Sequence, residues 1–264
     1  MRAAPWGDRG RLFFLIAFAS AGCRIRSKDP YWIETHGRAL GPRVAGWAEG
    51  ALLLGGDQRL WGYPGPWSNP WVPKNQSKAL RAIAASNHVA YALLSDGQVA
   101  RLTGGWSPYE NSASWGASEI GVTEDDHLFV IAGGKLRLFD HGELKVLGCD
   151  AVNAASAAGT HGEEAFLLDL NGALYLSREG RCDPIAAPVR LQRIAARPNR
   201  LMAVAIDGSV WRRRDGKWAR LAAPFKYRAG KEPALATPQD VGVSSYSTWL
   251  ADTEGSVFIL SDES

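Results

Sequence analysis

Catalytic signatures are what this sequence most plainly lacks. Its 264 residues contain no GxSxG elbow, no HExxH pair, no phosphate-cradling glycine loop and no paired Cys/His spacing. The usual local marks of serine hydrolases, zinc hydrolases and nucleotide binders are therefore missing. Helical periodicity is missing too. No long stretch keeps apolar residues at i, i+3, i+4 and i+7, and Gly or Pro interrupts almost every window, which argues against a helical bundle. Cysteine is scarce at three residues, and the five histidines (36, 88, 127, 141 and 161) are scattered as turn or surface residues rather than grouped. The apolar run Leu12 to Ala19 has eight residues, well short of the roughly 20 that a membrane-crossing helix needs.

That short run instead has the form of an export signal. Arg2, Arg9 and Arg11 precede it, and Ser20-Ala21-Gly22 leads directly to Cys23. Small residues before a cysteine resemble the bacterial lipobox, with Ser20 departing from the usual Leu. The resemblance implies cleavage after residue 22, lipidation (palmitate) at Cys23, a short tether over 23–30 and a folded domain over 31–264. Plain secretion and an uncleaved anchor are the alternatives. Arg24 follows the cysteine, so the inner-membrane retention signal of Gram-negative lipoproteins is absent and an outer-membrane protein facing periplasm or surface is expected. Removing the leader takes the net charge from +3 to about +1, so no nucleic-acid partner is indicated. In an oxidising compartment Cys149 and Cys182 can pair across neighbouring repeats or stay as two buried thiols; their spacing is not that of a zinc site.

What is abundant is repetition. A short apolar start followed by small residues recurs six times, beginning at Val44, Ile83, Ile120, Val152, Ile194 and Val241. After a glycine turn an apolar mark follows at Leu60, Val99, Leu136, Leu174, Val210 and Val257, 16 residues on in five of the six. The fifth copy reads as four short strands. Leu191 to Ala196 is the inner one, Leu201 to Ile206 the second, Ser209 to Arg214 the third after the Asp207-Gly208 turn, and Trp218 to Leu221 the last. Such units, about 36 residues each, match one blade of an all-β propeller with four-stranded antiparallel blades. No blade buries both faces alone, so stacking around an axis supplies the core. The last copy ends after its third strand, and Asp29-Pro30-Tyr31-Trp32-Ile33-Glu34 near the other terminus is predicted to complete it and close a six-bladed ring.

The segments Ala203 to Trp218 and His88 to Val99 resemble the tectonin repeat, with repeats of the chromosome-condensation regulator type (RCC1-like) as the second candidate. The resemblance implies a six-bladed propeller that binds a ligand, in some members a bacterial surface glycan. No cofactor and no resident metal are expected, and the ring is expected to be monomeric.

Candidate binding residues lie where the repeat is violated. The fourth copy has 22 residues between its marks, and the excess falls at the loop carrying His161, Glu163 and Glu164, which can hold a cation or sugar hydroxyls or be a solvated loop. The longest connection, before the last repeat, carries Phe225, Lys226, Tyr227 and Arg228, suited to an acidic glycan or a protein, or to a plain spacer. These two segments are expected on opposite rims. Tyr63, Trp67 and Trp71 offer faces for sugar stacking, although one Trp is needed for packing, as at Trp106 and Trp218. Asp169-Leu170-Asn171-Gly172 is read as a hairpin turn rather than a calcium loop, and Arg212-Arg213-Arg214 as a charged third strand. The small inner-strand residues predict a channel with little functionality and no catalysis. The expected function is a lipid-anchored envelope propeller binding a ligand, glycan before protein, with an envelope docking scaffold as the alternative and a hydrolase or lyase as the third reading.

Overall fold

The computed structural model describes residues 31–38, 43–47, 50–55, 58–63, 72–73, 78–102, 106–226, 232–244 and 247–261. Six four-stranded antiparallel sheets form the six blades of a β-propeller. Blades 1 to 5 take their strands in sequence order, with inner strands Arg43–Trp47, Leu80–Ala85, Ala117–Val122, Ala154–Gly159 and Leu191–Arg197. Blade 6 joins Pro238–Val243, Thr248–Asp252 and Ser256–Ser261 to the N-terminal strand Tyr31–Arg38. The latter pairs Trp32 with Leu260 and Glu34 with Phe258. The two ends of the chain therefore share one sheet, and the predicted closure is present.

Each blade turns its chain through two kinds of hairpin, and the residues explain both. Between second and third strands the turn places one glycine at positive φ in blades 2, 4, 5 and 6, at Gly97 (85°), Gly172 (80°), Gly208 (78°) and Gly255 (87°); blade 1 has Gln58 (64°) there and blade 3 both Gly133 (56°) and Gly134 (74°). Asp207 itself keeps negative φ and instead accepts the Ser209 N–H at 2.9 Å, so only one of the two positions needs the left-handed region. The third-to-fourth turns use two such residues, as in Asp215 (50°) and Gly216 (77°), the twist-matched form of a tight hairpin.

The core lies between blades. Leu93 and Val99 of blade 2 pack with Ile120 and Val130 of blade 3, and Leu168 and Leu174 of blade 4 with Ile194 and Leu201 of blade 5. Near the axis the inner strands approach backbone to backbone. A Cβ on Gly121 would stand 2.7 Å from the Ala157 carbonyl oxygen, and one on Gly242 2.8 Å from that of Val44. Only glycine fits at those levels, which is why the inner strands are poor in large residues.

One boundary departs from the sequence reading. In the fourth repeat Val152 precedes the inner strand, and the residue level with Ile194 is Ala157, since Ala157 pairs with Leu167 as Ile194 pairs with Ala203. From Ala157 to Leu174 is 17 residues, so the six-residue insertion does not exist. The loop from Thr160 to Glu164 matches that from Thr123 to His127 in blade 3. An alanine-rich strand offered no branched apolar mark, and a buried loop valine took its place.

Candidate functional site

Inner strands of a propeller run in one direction, so their first residues define an upper rim and their last a lower rim. Connections between blades and second-to-third turns lie on the upper rim; first-to-second and third-to-fourth turns lie on the lower. The residue just before each apolar mark forms a ring around the upper mouth of the channel: Arg43, Ala82, Glu119, Ser156, Arg193 and Asp240. Four of these six are charged, which corrects the expectation of a channel with little functionality. They are also paired. Arg43 Nη1 donates to Glu119 Oε2 at 2.9 Å, spanning blade 2, whose residue at this level is Ala82. Asp240 Oδ2 accepts the Val44 N–H at 2.8 Å, and its Oδ1 lies 3.8 Å from Arg193 Nε. Burial pushes the Asp240 carboxyl above the usual carboxylate range, opposed by Arg43 and Arg193. Burial disfavours the Arg43 charge, but Glu119 and Asp240 outweigh it and its pKa lies above the ordinary value.

The lower end is closed by a fifth charge. Arg197 of blade 5 reaches across the axis and donates to the carbonyls of Ala85 at 2.7 Å and Gly46 at 3.4 Å. Burial, the largest influence, lowers its pKa to about 10, so it stays cationic at neutral pH. Between the two charged levels the channel encloses about 80 Å³ lined by Val, Ile, Ala and Gly. Each carboxylate at the mouth has an arginine partner, and each arginine a carboxylate. The arrangement locks neighbouring blades together, and no group of three or more metal-ligating side chains occurs among the described residues.

The sequence-flagged residues scatter. His161 is exposed, with Nδ1 3.6 Å from Asp125 of blade 3, whose carboxylate also takes the Gly162 N–H. Glu164 accepts from Thr160 Oγ1 at 2.7 Å within its own loop, and Glu163 points to solvent. This cluster stitches two lower-rim loops and gathers no convergent site. The Asp169 to Gly172 segment is a hairpin turn whose aspartate accepts the Asn171 and Ala173 N–H groups at 2.8 Å. Cys149 and Cys182 are joined by a disulfide, with Cα atoms 5.2 Å apart. Cys182 sits where Trp218 packs against the preceding blade, so a covalent bond replaces ring packing at the seam of blades 3 and 4. Trp67, Trp71, Tyr227, Arg228, Cys23 and the leader lie outside the described residues, as does the side chain of Tyr63.

The long connection before blade 6 contains a small hairpin, Phe225–Lys226 against Ala234–Leu235. It sits on the upper rim, opposite the Thr160 to Glu164 loop. Lys226 is buried and ion-paired with the fully buried Asp252 at 3.2 Å and with Glu254 at 3.0 Å. Burial works against its charge, but Glu254 and Asp252 outweigh it and raise the pKa above 10.5. Its neighbours face outward: Phe225 pairs with Leu235, and they are 51% and 59% exposed. The hairpin thus turns its charge inward and its apolar side to water. The other large exposed apolar residues described are Val146 at the end of blade 3, and Leu170 and Ile206 in second-to-third turns. All five lie on the upper rim of blades 3 to 6. Blades 2 and 6 carry Ser95 and Thr253 at the turn position of Leu170 and Ile206.

Fold and site define a six-bladed β-propeller with paired charges at the upper mouth of its channel, a buried arginine at the lower end and exposed apolar residues along one rim. No family model matches the chain, and no curated protein does. Among solved structures it is similar to virginiamycin B lyase from Staphylococcus aureus, with 10% identity and a TM-score of 0.57 over 89% of this chain and 99% of that one. It is also similar to yeast RCC1 (Prp20), solved bound to Kap60, with 14% identity, a TM-score of 0.52 and 84% of this chain covered. A third is PorZ, a surface component of the type-IX secretion system of Porphyromonas gingivalis, at 10% identity, TM-score 0.53 and 86% of this chain. The chain spans 37% of PorZ and 66% of the yeast protein. Likeness at this identity establishes the propeller fold.

Proposed function

We propose that this chain is a lipid-anchored, non-catalytic docking protein of the bacterial cell envelope, and that its upper rim binds another envelope protein. The observation that carries the reading is the apolar arc, with Leu170, Ile206, Phe225 and Leu235 more than half exposed on one side of the ring. Exposed apolar groups gathered on one rim favour protein contact, whereas sugar recognition calls for aromatic platforms with converging polar groups. The paired charges of the channel argue for a structural core rather than a reaction centre, and the disulfide suits an oxidising compartment. PorZ is a surface component of a secretion system, and Prp20 was solved bound to Kap60.

The test places a photo-crosslinking residue at Leu170 or Phe225, with Asn199 on the lower rim as control. The two upper positions should capture the same protein in intact cells and the control should not. Leu170→Ser with Ile206→Ser should reduce that yield several-fold at unchanged melting temperature, because both side chains are solvent-exposed. Binding on a glycan array with no crosslinked protein would replace this reading with a lectin. The anchor is tested separately: Cys23→Ala should abolish labelling by palmitate.

A further inference from the structure

The lower rim carries the opposite character. The third-to-fourth turns of blades 4 and 5 bring Arg178, Arg181, Arg213, Arg214 and Lys217 to this rim against Glu179 and Asp215. Between the two blades lies a cavity of about 260 Å³ whose walls carry three arginines (Arg178, Arg200 and Arg213) against two carboxylates (Glu164 and Asp215), with Phe166 among its apolar residues. The Arg213 guanidinium stands 6.0 Å from the centre of the Phe166 ring, and its buried Nε has no hydrogen-bond partner. A guanidinium held by an aromatic face with a donor unused is prepared for an anionic oxygen. The same rim of blade 3 is acidic, with Glu124, Asp125 and Asp126 in one loop. Charge on this face is thus acidic at blade 3 and mixed at blades 4 and 5, where the cations outnumber Glu163, Glu164, Glu179 and Asp215.

Geometry relates this charge to the chain's beginning. Tyr31 pairs with Ser261, the last residue of its strand, so the closing strand starts at the lower rim of blade 6, next to blade 5. Seven residues lie between Cys23 and Tyr31, and the eight Cα-to-Cα steps span at most about 29 Å. A lipid at Cys23 therefore holds the lower rim near the bilayer, basic blades adjacent to the tether. We propose that the cavity and rim of blades 4 and 5 bind phosphate groups, supplied by anionic lipid headgroups, and so set the ring's orientation with the apolar arc facing away from the membrane. This rests on the lipid-anchor reading for its biological setting, though not for the binding itself.

The test uses the purified, unlipidated Cys23→Ala protein and vesicles of phosphatidylcholine with or without phosphatidylglycerol. Binding is expected only to the anionic vesicles. Arg178→Gln with Arg214→Gln, both exposed positions, should weaken it roughly 30-fold, at about fivefold per charge near an anionic surface. Arg190→Gln with Arg220→Gln, the same charge change away from this rim, should leave it within twofold. Arg213→Gln should weaken binding too, with thermal unfolding read alongside to separate loss of contact from loss of fold. No preference for anionic vesicles, or equal loss in both double variants, overturns the proposal. Full competition by millimolar inorganic phosphate assigns the site to a soluble ligand and overturns the lipid assignment. Failure of palmitate labelling would remove the anchor while leaving the vesicle result standing.

Discussion

Lys226 shows how one side chain organises a segment. It is 6% exposed, and its partner Asp252 is wholly buried, so removing the cation leaves a carboxylate in a low-dielectric site. Lys226→Met should cost about 3 kcal/mol, read as a lower urea midpoint at unchanged slope. The pH dependence follows from the raised pKa. The folded protein holds this proton more tightly than the unfolded chain does, so the stabilisation is complete below the ordinary lysine value of 10.5 and is lost as pH rises through the folded value. The stability gap between wild type and Lys226→Met should narrow above pH 10.5 and stay constant between neutral pH and 9 or so. The composition of this connection was readable in the sequence as aromatic and cationic. Alternation along a strand puts Phe225 and Lys226 on opposite sides, but which side faces blade 6 depends on the position of Asp252, 26 residues later.

At the scale of the element, the seam between blades 3 and 4 is the most distinctive. Blades 2 and 5 pack Trp106 and Trp218 against the preceding blade; blade 4 uses the Cys149–Cys182 bond, closing a loop of 33 residues. Constraint of the unfolded chain by a loop of that length gives about 3–4 kcal/mol. Reduction, or the double change Cys149→Ser with Cys182→Ser, should lower the melting temperature by the corresponding amount. Adding reductant to the double variant should change nothing further. The pairing was open from sequence, because two cysteines near repeat ends fit buried thiols equally well. Blade 4 was also where the repeat was misread: Ala154–Gly159 is almost all Ala and Gly, a composition that marks crowding at the axis rather than a strand's start.

For the molecule as a whole, ring closure decides stability. Without Tyr31–Arg38 the strand Ser256–Ser261 becomes an open edge, and Val257 and Phe258, both fully buried, lie on that strand. A chain lacking residues 31–38 should lose the single cooperative unfolding transition and elute as aggregates on size exclusion, since an unprotected edge templates further pairing. Monodisperse, cooperative behaviour would show that closure is dispensable.

The number of blades, their four-strand order, the turns outside blade 4 and the identity of the closing strand were legible in the chain, because each follows from local periodicity and turn chemistry repeated in register. The charged ring was hidden although every member was visible. Arg43, Glu119, Arg193 and Asp240 are one residue each in four separate repeats, and only closure of the circle brings Arg43 within 2.9 Å of Glu119. The two faces were hidden for the same reason: a turn residue such as Ile206 gains meaning as part of an arc only when neighbouring turns are set beside it. Local pattern determines a blade, whereas a surface or a channel is made of what different blades share, and that is decided in three dimensions.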